Sequence, residues 1–218
     1  MNKKKIIHSW NLYAITDEML SRGRTPLEVT QQMIDGGAEV IQFRDKTSSG
    51  RKLYETGLEL KKLASEKKVS FMVNDRIDLA LILDADGVHV GQSDIPASAA
   101  RQLLGPEKIL GVSAASVAEA RQAEANGADY LGIGPIFEAR GTKADAGNPQ
   151  GLELLFQIRQ KCRLPLIAIG GINQQNVASV IEAGAEGAAV ISAIVSADDI
   201  TGATNLIRSI IIATKSKR

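Results

Sequence analysis

Gln42, Arg44 and Lys46 stand at alternate positions where an apolar run, Val40-Ile41, gives way to a polar loop. Side chains on an extended strand alternate faces, so these three project the same way. An amide, a guanidinium and an ammonium fanned from one strand end suit an anionic, phosphate-sized ligand. Polar groups recur where other apolar runs end: Asn74-Asp75, Asp94, Ser113, Thr142-Lys143, Gly170-Gly171 and Ser192. Together they describe the mouth of one site.

Each of these groups has a chemical reading and a plainer one. Asp75 and Asp94, at adjacent strand ends, could hold a hard divalent cation, with magnesium the expected ion and a substrate diphosphate supplying further oxygens. Taken singly, either aspartate reads as a helix cap, before Arg76-Ile77-Asp78 or before Ile95-Pro96. Asn74 adds an amide, but neighbours on a strand face opposite ways, so Asn74 and Asp75 both point inward only if the chain turns between them. Gly170-Gly171 leads into a helix beginning near residues 173–176 and would let backbone N–H groups approach an anion, with Ser192 adding donors at another helix entrance. A tight turn alone would also use two glycines. Thr142-Lys143 lies in a long Gly-containing loop, Glu138 to Gly151, a candidate lid. Ser113 offers a hydroxyl, with no histidine beside it in sequence to activate a nucleophile. Of two histidines, His89 lies inside an apolar run and reads as a hydrogen-bonded core residue.

The elements that would position these groups follow from a repeated junction. Gly36-Gly37-Ala38-Glu39, Asp84-Ala85-Asp86, Gly127-Ala128-Asp129 and Gly184-Ala185-Glu186 each close a helical pattern and open an apolar run at once. Glycine supplies the left-handed helix end. On this basis eight strands are expected: Leu12 to Thr16, Val40 to Phe43, Phe71 to Asn74, Gly87 to Gly91, Ile109 to Ser113, Tyr130 to Gly134, Leu166 to Gly170 and Ala188 to Ser192. Amphipathic segments separate them, clearest at Pro26 to Ile34, Leu53 to Leu63, Ser116 to Glu124 and Asn176 to Ala183. Strict alternation implies a parallel sheet, and eight units imply a closed (β/α)8 TIM barrel, with an open doubly wound sheet as the alternative. In such a barrel the loops after the strands form the active face.

The chain has 218 residues and 44% hydrophobic content, enough for a real core, and no linker divides it. One domain spanning 1–218 is expected, with short basic, solvated tails at about 1–8 and 213–218. Twenty-six basic residues balance 25 acidic ones, which argues against nucleic acid or membrane partners and for small-molecule substrates; a homo-oligomer is left open. The single cysteine, Cys162, rules out an internal disulfide framework. The apolar stretch after the N-terminal lysines is too short for a secretory signal, and no run could span a bilayer, so a cytoplasmic protein is expected. There is no zinc-type Cys/His cluster and no dinucleotide fingerprint.

These blocks, in this order, resemble the thiamine-phosphate synthase family from about Leu12 to Ile194. The resemblance is carried by Leu12-Tyr13-Ala14-Ile15-Thr16-Asp17, Gln42-Phe43-Arg44-Asp45-Lys46, Asn74-Asp75-Arg76, the run from Ala85 to Gln92 with Asp94, Gly111-Val112-Ser113, the run from Gly132 to Phe137, Thr142-Lys143, Ala168 to Ile172, and Ile191-Ser192-Ala193-Ile194. It implies a magnesium-dependent transferase of thiamine biosynthesis that couples hydroxymethylpyrimidine diphosphate to a carboxylated thiazole phosphate. By the same resemblance Gln42, Arg44, Lys46 and Asn74 bind the pyrimidine diphosphate and Asp75 and Asp94 bind Mg2+. Ser113, Thr142 and Lys143 complete the diphosphate and pyrimidine site, and Gly171, Ile191 and Ser192 take the thiazole phosphate. Catalysis then falls to Arg44, Lys46, Ser113 and Lys143, with magnesium, Arg44, Lys46 and Lys143 neutralising the charge on departing pyrophosphate and no protein nucleophile.

The sequence departs from the family pattern in two places. Ala115 stands where the family often has histidine and where its close paralogue, the thiazole tautomerase, carries its catalytic one. The run Phe137 to Lys143 is one residue longer than the common pattern and lacks its first threonine, Arg140 offering a replacement donor. A tautomerase-like paralogue and a non-catalytic binder of thiamine intermediates are the competing readings. The full set of Arg44, Lys46, Asp75 and Asp94 speaks against the first.

Overall fold

The structure, a computed structural model, describes residues 3–138 and 148–218. Helix α1 (Lys3–His8) leads into β1 (Leu12–Ile15), followed by α2 (Pro26–Asp35), β2 (Val40–Phe43), α3 (Gly50–Glu66), β3 (Ser70–Asn74), α4 (Ile77–Ile82), β4 (Gly87–Val90) and α5 (Ala97–Leu104). The second half continues with β5 (Ile109–Ala114), α6 (Val117–Ala125), β6 (Tyr130–Ile133), α7 (Gly151–Lys161), β7 (Leu166–Ile169), α8 (Val177–Glu182), β8 (Gly187–Val190), α9 (Ser192–Val195) and α10 (Ile200–Lys215). All eight strands are parallel and the sheet closes, β1 pairing with β8 through Leu12 and Ala188. That pairing excludes the open doubly wound alternative. Every strand falls within two residues of its expected bounds, and Ile191 and Ser192 are the N-cap and first residue of α9.

Local signals start the helices. Thr25 and Glu28 form a reciprocal capping box with Pro26 at the first position of α2. Ser49, Ser116 and Asp199 cap α3, α6 and α10 by accepting backbone N–H groups.

The repeated junction has a purpose beyond its glycines. Glu39, Asp86, Asp129 and Glu186 each stand just before an even-numbered strand and clamp the start of the preceding odd one. Their carboxylates accept the N–H groups of Leu12, Phe71, Leu110 and Leu166 at 2.9, 2.7, 2.9 and 2.7 Å. Their own N–H groups donate back to the carbonyls of those same four residues. Each acid also meets a cation: Arg208, Lys61, Arg101 with Lys3, and Arg159. Four copies of one device thus set the strand register at the N-terminal end of the barrel.

Of the basic ends expected to be solvated tails, Lys4, Lys5, Lys217 and Arg218 are exposed, but parts of both ends are packed. Helix α1 buries Ile7, Trp10 follows it into the core, and Lys3 pairs with Asp129 at 3.0 Å. At the other end α10 runs to Lys215, whose ammonium donates to Asn11 Oδ1 at 2.7 Å and is half-buried, which lowers its pKa. Cys162 is free and buried at the end of α7, and burial raises its thiol pKa, as befits an inert structural residue. Among the described residues no helix is long and apolar enough to cross a membrane.

Candidate active site

The C-terminal strand ends enclose a cavity of about 510 Å³. Gln42, Arg44, Lys46, Asn74, Asp75, Asp94, Ser113, Gly171, Ile191 and Ser192 all line it. Thr142, Lys143 and Arg140 lie outside the described residues. Strand alternation supplies the lining: Tyr13 and Ile15, Tyr130 and Gly132, and Ile167 and Ile169 all face the cavity at spacing two.

The cationic fan is more structured than alternation alone predicts. Gln42, at the end of β2, points into the barrel and donates to the Tyr13 hydroxyl at 2.8 Å. Arg44 lies beyond the strand and forms an ion pair with Asp17 at 2.5 Å, with side chains only 10% and 7% exposed. Its backbone is pinned through Thr16, which accepts from Arg44 N at 2.9 Å. Lys46 is half exposed and reaches Asp75 at 3.2 Å. Burial of Arg44 makes Asp17 a necessary partner, because a desolvated guanidinium without a counter-charge is costly.

Asp75 resolves the difficulty posed by its neighbour. Its φ of 59° places it in the left-handed region, which aspartate tolerates better than most residues. Asp75 N donates to His89 O at 2.8 Å, and the chain turns so that Asn74 and Asp75 both line the cavity. Neither aspartate is a helix cap. Helices α4 and α5 begin with Arg76 and Pro96 at their N-caps, with no side-chain cap bond. Asp94 instead folds back to accept Gly91 N at 2.7 Å. The carboxyl groups of Asp75 and Asp94 lie close enough to influence each other. Burial and the Asp94 carboxyl raise the pKa of Asp75, against an opposing pull from Lys46.

A like-charged oxygen pair opening on a cavity is suited to a divalent cation. Among the described residues there is no cluster of three or more His, Cys, Asp or Glu able to hold a metal. Two carboxylates match an ion such as magnesium, which keeps waters and substrate phosphate oxygens in its shell.

Across the cavity, Gly170 and Gly171 have φ of 100° and 64°. A Cβ at Gly170 would sit 2.6 Å from Pro135 Cα, and one at Gly171 would sit 2.5 Å from the Glu138 carbonyl oxygen. Glycine is therefore required both by conformation and by the close approach of the segment after β6. Asn176 steadies the turn by donating to Gly171 O at 2.9 Å and accepting from Asn173 N at 2.8 Å.

Sequence reasoning missed Asp17 and the two tyrosines, and it kept His89 out of the site. His89 is hydrogen-bonded in the barrel interior as expected, yet it also lines the cavity between Tyr130 and Ser113. Room for these rings was visible as Gly111 and Gly132. A Cβ on Gly111 would lie 2.2 Å from Tyr130 Cζ, and one on Gly132 would lie 2.8 Å from His89 Cε1.

Fold and site together define a (β/α)8-barrel protein with one cationic, carboxylate-bearing cavity at its C-terminal face. The family model described as thiamine monophosphate synthase matches residues 12–194, and the chain belongs to that family. It is 52% identical over 211 residues to a thiamine-phosphate synthase of Chloroflexus aurantiacus, covering 97% of each chain. It is 49% identical over 208 residues to one of Moorella thermoacetica, covering 95% of this chain and 99% of the other. Among solved structures, thiamine phosphate pyrophosphorylase from Pyrococcus furiosus superposes with a TM-score of 0.88 at 40% identity, covering 96% of this chain and 98% of that one.

Proposed function

We propose that this protein is a thiamine-phosphate synthase. It would couple 4-amino-2-methyl-5-hydroxymethylpyrimidine diphosphate with carboxythiazole phosphate, giving thiamine phosphate, pyrophosphate and carbon dioxide. The observation that carries this reading is the convergence of Arg44, Lys46, Asp75 and Asp94 with the Gly170-Gly171 turn and Ile191-Ser192 around one cavity. One side suits a diphosphate and the other a second phosphate, so two anionic reactants fit in a single chamber.

Arg44 and Lys46 would grip the diphosphate, with Asn74 and Gln42 orienting the pyrimidine end. Arg44 is pre-positioned by Asp17, so little side-chain freedom is lost on binding. Asp75 and Asp94 would hold Mg2+, which supplies Lewis-acid neutralisation of the diphosphate oxygens. Lys46 would exchange its Asp75 contact for the diphosphate once the carboxylates are engaged. Ser113 would meet the pyrimidine, while the Gly171 turn, Ile191 and Ser192 would receive the thiazole phosphate. Lys143 would add positive charge, and Thr142 a hydroxyl donor, at the leaving group. Departure of pyrophosphate leaves a pyrimidine methylene cation, which the adjacent thiazole nitrogen captures, and the thiazole carboxylate then leaves as carbon dioxide. Proximity and electrostatic stabilisation carry the reaction. We place this activity in the cytoplasm.

Ala115, which ends exposed beyond β5, brings no imidazole to the site and so weighs against the tautomerase alternative. The deciding experiment incubates pure protein with both substrates and magnesium and follows pyrophosphate release with and without the thiazole. Thiazole-dependent release with thiamine phosphate formed is expected. Tight binding of both substrates without release would favour the non-catalytic binder, and tautomer conversion of the thiazole alone would favour the paralogue.

A further inference from the structure

Five side chains from five strands form a continuous hydrogen-bonded chain across the barrel beneath the cavity. Gln42 Nε2 lies 2.8 Å from Tyr13 Oη, which lies 3.0 Å from Tyr130 Oη. Tyr130 Oη lies 2.9 Å from His89 Nδ1, and His89 Nε2 lies 2.9 Å from Ser113 Oγ. Trp10 packs edge-on against both tyrosine rings, at centroid distances of 5.7 and 5.3 Å, and fixes them in place.

Such a chain has a direction. An amide nitrogen can only donate, so Tyr13 accepts from Gln42 and spends its own hydrogen on Tyr130. Tyr130, having accepted, donates to His89 Nδ1. The imidazole is then neutral with its hydrogen on Nε2, and that hydrogen goes to Ser113 Oγ. A protonated imidazole would donate at both nitrogens and turn Tyr130 towards Tyr13, stranding the Tyr13 hydrogen between two donors. Burial raises the pKa of both tyrosines, so each hydroxyl keeps its proton. One hydrogen is left over at the end of the chain, that of Ser113, and Ser113 lines the cavity.

We propose that this chain sets Ser113 as a hydrogen-bond donor to the ligand, so that the site selects an organic ring presenting an acceptor atom there, such as a pyrimidine ring nitrogen. Tyr13, Tyr130 and His89 are then positioning residues for the organic half of the diphosphate substrate and do not touch its phosphates. The choice of ring rests on the reading under Proposed function, whereas the direction of the chain does not.

The test has two arms. In the first, long-range 1H–15N NMR reads the His89 tautomer in the free protein, with His8→Gln removing the other imidazole. Hydrogen on Nε2 with a bare Nδ1 is expected; hydrogen on Nδ1 would mean the reversed chain and overturn the proposal. In the second, calorimetry with magnesium compares the aminopyrimidine diphosphate with inorganic pyrophosphate for the wild type, Tyr130→Phe and Ser113→Ala. Both variants should bind the pyrimidine compound about tenfold more weakly and inorganic pyrophosphate as before, with unchanged far-ultraviolet circular dichroism. Equal weakening for both ligands, or for neither, would overturn the proposal while leaving the synthase reading intact. A wild type that takes pyrophosphate but not the pyrimidine compound would overturn the proposed ring and the synthase reading together, with the chain's direction still decided by the tautomer.

Discussion

The two ends of the barrel use the same residue types to opposite effect. At the N-terminal end, Glu39, Asp86, Asp129 and Glu186 each take a strand N–H and a cation, so every acid sits in a closed set of partners. At the C-terminal end, Asp75 and Asp94 lie close enough to raise the pKa of Asp75, Asp75 holding Lys46 and Asp94 the Gly91 N–H. Charges satisfied by the chain itself hold a fold together. Charges brought close to one another are stored for a ligand, and in barrels of this class that division follows the stability and active faces.

The largest expected effects separate these roles. Asp75→Asn and Asp94→Asn should each lower product formation by about 10²- to 10³-fold, as when a group stabilising transition-state charge is removed. Neither should lower the urea midpoint of unfolding. A parallel loss of stability would erase the contrast between the two ends. Conversely, Asp129→Ala should cost about 3 kcal/mol of stability, because it removes the counter-charge of Arg101 and Lys3 and the acceptor of the Leu110 N–H. Its kcat below the unfolding transition should stay within a factor of two. Chemical denaturation followed by steady-state kinetics on the same preparations decides both.

Asp17→Asn belongs between these extremes, since Asp17 has the burial of a structural partner and the location of a site residue. Removing its charge takes a close, buried counter-charge from Arg44, and about 1–3 kcal/mol of stability should be lost. Loss of the Asp17 contact that orients the guanidinium should also raise KM for the pyrimidine diphosphate by about tenfold while leaving that for the thiazole phosphate unchanged. A change in stability alone would move Asp17 to the structural side of the comparison.

Much of this contrast was legible in the sequence, but unevenly. The alternation of short apolar runs with helical patterns set the barrel, since a period of two against one of 3.6 is a local signal. The side on which Gln42, Arg44 and Lys46 project was readable for the same reason. The pairing of Arg44 with Asp17 was not, because Asp17 comes from the neighbouring strand end and pairing between strands leaves no mark on spacing. Tyr13 and Tyr130 read as apolar strand residues, since the sequence does not say where a hydroxyl points. The acids of the repeated junction were visible as a pattern, yet their role as strand clamps depends on closure of the sheet. Helix α1 went unread because its lysines mask a single buried face, Ile7, which Trp10 extends.

The smallest expected effect is also the most direct probe of stored charge. The pKa of Asp75 is raised in the folded state, so the native protein holds that proton more tightly than the unfolded chain does. Stability contributed by this group is therefore full at low pH. It falls as pH rises from the ordinary aspartate range through the raised folded value, then stays low. Asparagine at position 75 has nothing to ionise, so Asp75→Asn should melt close to the wild type below that window and above it at neutral pH. Magnesium should narrow the gap at neutral pH by stabilising the wild type, and should do little in acid, where the carboxyl keeps its proton. The Lys46 contact opposes this trend but is half exposed and contributes little. Melting curves across pH, with and without magnesium, would show a constant offset instead if Asp75 were as fully satisfied as Asp129, and the distinction between the two ends of the barrel would then be lost.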